Sequence, residues 1–116
     1  MIRFLLPLLL LVTPAAADEL MTFFIKNGAS RGVALEISSR TREMLWPGDD
    51  KVYFLEPGEK KSVPIQCQVG EEICYGAWVV GDPATWWGAG PNGDRDCPNC
   101  CSICVAKTTE TIDLRE

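Results

Sequence analysis

Four of the six cysteines of this chain fall in one short stretch, Cys97-Pro98-Asn99-Cys100-Cys101-Ser102-Ile103-Cys104. As thiolates, the Cys-x2-Cys pairs 97/100 and 101/104 could supply four sulfur ligands to a tetrahedral zinc ion or an iron–sulfur centre. Structural zinc knuckles are usually separated by a dozen or more residues so that the chain can wrap the ion, whereas here they abut. A redox-active Cys97-Pro98-Asn99-Cys100 is a further reading, but it lacks the helix that would lower a thiol pKa. Oxidised, the even set Cys67, Cys74, Cys97, Cys100, Cys101 and Cys104 forms a disulfide framework, and this reading outweighs metal or redox chemistry. A bond between the neighbours Cys100 and Cys101 would strain the intervening peptide, so each should find a partner elsewhere. If Val69-Gly70-Glu71-Glu72 is a hairpin loop, Cys67 stands directly across from Cys74 within disulfide reach; either could instead bond to the later cluster.

The second group with chemical potential is aromatic. Trp46 precedes a Pro-Gly turn, Trp78 lies in a strand-like run, and Trp86 and Trp87 are adjacent in a loop-like stretch. Trp78 shares parity with Cys74 and Val80, which suggests a core position near a disulfide. Trp86 and Trp87 point to opposite faces of an extended chain, so one core can bury only one of them. The other is the candidate ligand-binding residue, able to stack on a sugar or anchor a protein partner beside Asp82, Asn92 and Asp94.

Catalytic groups are sparse. There is no histidine, which removes the commonest general base and the usual nucleophile–His arrangements. The acidic pairs Asp49/Asp50 and Glu71/Glu72 lie in turns and read as solvated loop residues. Asp82, Asp94 and Asp96 could offer oxygens to calcium, but their spacing matches no EF-hand. Neither catalytic residues nor a cofactor or metal are expected.

The elements that must position these groups are short. Turn signals recur at Asn27-Gly28, Pro47-Gly48, Pro57-Gly58, Val69-Gly70, Gly81-Asp82-Pro83 and Gly90-Pro91-Asn92-Gly93, and no helical stripe survives between them. Strands are expected over 20–26, 33–38, 51–55, 61–67, 73–80 and 108–114, with a short one near 103–107. Val33, Leu35 and Ile37 alternate with Ala34, Glu36 and Ser38, and Val63, Ile65 and Cys67 alternate with polar residues and Pro64. Pro64 cannot donate to a ladder, so its strand should lie at an edge or offer this position to solvent. The expected fold is all-β: a two-sheet antiparallel, immunoglobulin-like sandwich stabilised by disulfides.

Arg3, the apolar run from Phe4 to Val12 and the small residues Ala15-Ala16-Ala17 form a signal-peptide pattern over residues 1–17, leaving a single domain over 18–116. The run is too short to span a membrane. A periplasmic or secreted protein follows, in a compartment that permits disulfides. The formal net charge of −5 argues against a nucleic-acid partner, because phosphate affinity rests on clustered Lys and Arg.

Gly70-Glu71-Glu72-Ile73-Cys74-Tyr75-Gly76-Ala77-Trp78, followed by Trp87-Gly88-Ala89-Gly90 and Cys97-x2-Cys100-Cys101-x2-Cys104, resembles a family of small exported bacterial cysteine-rich proteins. With Trp46-Pro47-Gly48 the match covers residues 46 to 104. The resemblance implies an exported β-domain and carries over no activity, ligand or catalytic residue. The expected function is that of a non-enzymatic binding or interaction module for a glycan or an envelope protein. The alternative is a metal or thiol-redox protein built on Cys97, Cys100, Cys101 and Cys104.

Overall fold

The computed structural model describes residues 18–116, so the signal segment 1–17 lies outside the described residues. Among the described residues nine strands form two sheets: β1 (Asp18–Asn27), β2 (Val33–Ser39), β3 (Met44–Trp46), β4 (Tyr53–Leu55), β5 (Lys60–Gln68), β6 (Glu72–Val79), β7 (Asp82–Gly88), β8 (Cys101–Ile103) and β9 (Ile112–Leu114). The first sheet has the order β5-β1-β9. In the second, β2 and β6 pair centrally, with β3 and β4 along the free edge of β2 and β7 and β8 along that of β6.

Alternation builds the core between the sheets. Met21, Phe23 and Ile25 of β1 and Val63, Ile65 and Cys67 of β5 face Val33, Leu35 and Ile37 of β2 and Ile73 and Ala77 of β6, all buried in one cluster. Intervening residues such as Pro64 and Gln66 are exposed, the period-two pattern of a half-buried strand. β5 is an edge strand, so the missing Pro64 amide deprives no ladder neighbour on its outer side. The all-β, two-sheet, disulfide-stabilised architecture is therefore present. One pairing departs from antiparallel order: β9 runs parallel to β1.

Several expected elements are displaced. β3 and β7 are additional strands, the 108–114 strand contracts to Ile112–Leu114 with an isolated bridge at Thr108, and the short late strand falls at Cys101–Ile103. More consequentially, β5 and β6 do not form a hairpin. The turn closed by Glu71 N–H on the Gln68 carbonyl at 2.9 Å passes the chain from one sheet to the other. Cys67 therefore faces the inter-sheet core while Cys74 lies on the far face of the second sheet, and the local 67/74 pairing is replaced. The bridges are Cys67–Cys104, Cys74–Cys101 and Cys97–Cys100.

Buried polar groups fix the turns. Asn27 accepts from the Ala29 amide at 2.9 Å and donates to the carbonyls of Arg31 and Leu55 at 2.8 and 3.1 Å. Glu71, expected to be solvated, is 2% exposed. Its carboxylate accepts from Ser39 Oγ at 2.7 Å, Arg42 Nη2 at 3.0 Å and the Gln68 amide at 2.9 Å, and also from Arg42 Nε. One side chain thereby ties the β2–β3 turn to the sheet-to-sheet crossing.

Candidate functional site

The outer face of the second sheet carries the exposed aromatic groups. β2 and β6 place Ala34 opposite Trp78, β4 places Phe54 opposite Ala34, and β7 places Trp86 opposite Trp78. Phe54, Ala34, Trp78 and Trp86 thus form one cross-strand row. Adjacent strands lie about 4.8 Å apart, so the row spans roughly 15 Å. Its ends are open: Phe54 is 46% and Trp86 37% exposed. Small residues shape the row, since a methyl group on Gly32 would meet the Phe54 ring at 2.7 Å.

The loop after β7 bounds this row on one side. It folds across the sheet where β6 presents Gly76, and a side chain there would collide with the Gly90 carbonyl. Further along, Gly93 sits against Ser38, where a Cβ would approach Ser38 Oγ to 2.8 Å. The Arg95 amide donates to the Ala89 carbonyl at 3.0 Å, and the Arg95 guanidinium lies 5.0 Å from the centre of the Trp86 ring, within cation–π range. Between this loop and the β3–β4 connection lies an open cleft of about 590 Å³ whose lining includes Trp78, Glu36, Asn92, Met44, Asp49 and Asp50. Burial raises the pKa of Glu36, and its Oε1 is buried without a partner.

The two candidate tryptophans separate as strand parity requires. Trp86 faces outward on the aromatic row. Trp87 pairs with Ala77, packs against the inter-sheet core and donates its Nε1–H to the Arg115 carbonyl at 2.7 Å. Trp78 departs from its expected core position. It does share parity with Cys74, but that parity faces away from the core, and Trp78 is only half-buried. Strand alternation reveals that two residues share a face; it does not reveal which face is covered.

The sulfurs are also redistributed. Cys104 is buried in the core with Cys67, so the set 97/100/101/104 is not assembled. Cys74, Cys100 and Cys101 come together instead, their Sγ atoms all within 4.8 Å of one another, with Cys97 bonded to Cys100. Among the described residues this is the one cluster of metal-type ligand atoms. Two of the three acids considered for calcium are engaged elsewhere: Asp82 pairs with Arg31 at 3.0 Å and accepts from Thr85 at 2.9 Å, and Asp96 lies 3.8 Å from Arg40.

No protein-family model matches the chain, and no curated protein is significantly similar to it. No helix among the described residues is long and apolar enough to cross a membrane.

Proposed function

We propose that this protein is an exported, non-enzymatic binding module whose outer sheet face holds a glycan, acting in the periplasm or outside the cell. The observation that carries this reading is the row Phe54–Ala34–Trp78–Trp86, which offers aromatic surface on a rigid sheet. Aromatic faces stack on the C–H faces of sugar rings, and rigid rings lose little entropy on binding. Beside them, Glu36, Asn92, Asp49 and Asp50 offer acceptors for sugar hydroxyls. The predominance of carboxylates at the cleft favours a neutral or amino-bearing sugar over an anionic one. Three disulfides suit an oxidising compartment.

The test is a panel of neutral, amino-bearing and acidic glycans presented to the wild type and to Trp86→Ala and Trp78→Ala. Selective binding to the first two classes, weakened about tenfold or more by either substitution, is expected. Binding that both variants retain, or none on the panel, would remove the glycan assignment. Loss of glycan binding combined with retention of an envelope protein at the same row would instead favour a protein ligand.

A further inference from the structure

The sulfur cluster beneath the loop has a geometry that stapling alone does not require. Cys74 and Cys101 are direct cross-strand partners on β6 and β8. Cys100 lies alongside them, held where the Tyr75 amide donates to the Cys100 carbonyl at 3.0 Å, and its Sγ is 3.6 Å from Cys101 Sγ. Two separate bridges therefore have sulfurs in van der Waals contact. Their environments differ: Cys74 is fully buried, Cys100 nearly so, and Cys97 and Cys101 are half-buried. Pro98 and Asn99 are exposed, and an open cleft of about 320 Å³ reaches Cys100 past Asn99, Ser102 and Lys107.

We infer that Cys74, Cys97, Cys100 and Cys101 form a thiol–disulfide exchange site that accepts two electrons from a dithiol-bearing partner, whereas Cys67–Cys104 does not participate. The assignment uses atoms outside the aromatic row and is independent of the glycan reading. The partner thiolate attacks Cys97 Sγ, the Cys97–Cys100 bond breaks, and Cys100 leaves as a thiolate. The partner's second thiol then attacks its own sulfur in the mixed disulfide, releasing Cys97 as a thiol and the partner as a disulfide. After its side chain rotates away from Cys101 Sγ to lie in line with the Cys101–Cys74 bond, the Cys100 thiolate attacks Cys74 Sγ, which is within 4.8 Å, forming Cys74–Cys100 and expelling Cys101 as a thiolate. This last step conserves electrons, converting one thiolate and one disulfide into another of each. It avoids a bond between neighbouring residues and moves the free thiolate from the buried Cys100 to the more accessible Cys101. The cleft that reaches Cys100 carries one charge of each sign, Lys107 and Glu110, of which Lys107 favours the Cys100 thiolate.

Sequence separation orders the bridges in the same way. Cys97 and Cys100 are 3 residues apart, against 27 for Cys74–Cys101 and 37 for Cys67–Cys104. In the chain-entropy model the shortest loop restrains the unfolded state least, so opening it should leave the fold standing.

The experiment is partial reduction of the folded protein with one equivalent of dithiothreitol, acid trapping with a maleimide and peptide mapping. Label is expected on Cys97 and divided between Cys100 and Cys101 within about tenfold of each other, with Cys67 and Cys104 unlabelled. In a second arm, Cys97→Ser starts with Cys100 unpaired, and its map should contain both Cys74–Cys101 and Cys74–Cys100. Label confined to Cys97 and Cys100, together with a single Cys74–Cys101 species in the variant, would overturn the exchange step. Label spread over all six cysteines would overturn the separation of the staple from the site.

Discussion

At the residue scale, two carboxylates, one in the sheet-to-sheet crossing and one on the second sheet, respond to acid in opposite directions. Burial alone would raise the pKa of Glu71, but hydrogen bonds from Arg42, Ser39 and the Gln68 amide, with the Arg42 charge, outweigh it and hold the group at about 2 rather than 4.5. Because the folded-state value is depressed, its stabilisation is complete above pH about 4.5 and is lost as the pH falls towards about 2. Arg42 is partly solvated, so the contribution is roughly 2 kcal/mol, below what the full shift would give. Urea denaturation of Glu71→Gln should show a loss of that order at pH 7, narrowing markedly at pH 2.5; an equal loss at both values would place the effect in packing. Glu36 has the opposite sign. Burial raises its pKa and leaves Oε1 without a partner, so its charge opposes folding above that raised value, and the penalty fades as acid protonates it. Glu36→Gln should therefore be neutral or stabilising by at most about 1 kcal/mol at pH 7, with any gain disappearing in acid. If the cleft binds sugar through Glu36, the same variant should bind less tightly, separating the ligand's requirement from the fold's.

At the element scale, β7 serves two purposes through adjacent side chains. Trp87→Ala would open the inter-sheet core and remove the hydrogen bond to the Arg115 carbonyl, a loss of about 2 to 4 kcal/mol. Trp86→Ala removes an exposed ring stacked by Arg95 and should cost about 1 kcal/mol or less. Thermal melts of the two variants beside the glycan measurements would show whether stability and binding divide between the faces; equal destabilisation would count against the division. Only part of this strand was legible in the sequence. Opposite parity for Trp86 and Trp87 followed from their adjacency, but Asp82-Pro83-Ala84 carries turn signals and little strand propensity, so pairing with β6 overrides the local preference. β5 was legible because its apolar residues alternate over a wet face; in β2 the same alternation places the core side chains, but Ala34 and Ser38 on its other face are buried as well. The crossing at Gln68–Glu71 was not legible, since so short a connection also suits a hairpin, and the buried Glu71 that fixes it reads as an ordinary loop acid. The sulfur site was missed for the same reason: sequence places Cys104 beside Cys101, whereas the crossing sends Cys67 inward to meet Cys104 and leaves Cys74 outside for Cys101.

At the scale of the whole molecule, the three bridges have different mechanical roles. Cys67 on the first sheet and Cys104 just beyond β8 are both fully buried, so their bridge connects the two layers through the core. Cys74–Cys101 connects neighbouring strands that already share a ladder, and Cys97–Cys100 closes a loop within one segment. With a separation of 37 residues, the chain-entropy model assigns the inter-layer bridge roughly 4 kcal/mol, against about 1.5 kcal/mol for one closing 3 residues. A small domain is stable by only about 5 to 15 kcal/mol, so the first loss approaches its whole stability and the second does not. Cys67→Ala/Cys104→Ala should therefore melt far below the wild type, while Cys97→Ala/Cys100→Ala should remain folded with a modestly reduced urea midpoint. The inter-layer variant also removes two buried sulfurs from the core, so Cys67→Ala/Cys104→Ala alone would not isolate the cross-link. A chain that keeps only the inter-layer bridge, Cys74→Ala/Cys97→Ala/Cys100→Ala/Cys101→Ala, compared oxidised and reduced, supplies that control: if reduction of Cys67–Cys104 lowers the midpoint no more than loss of Cys97–Cys100 does, the layers are held by apolar burial, and the staple assignment fails. If it lowers the midpoint much further, the fold can cycle its short bridge because the long one holds the sheets together.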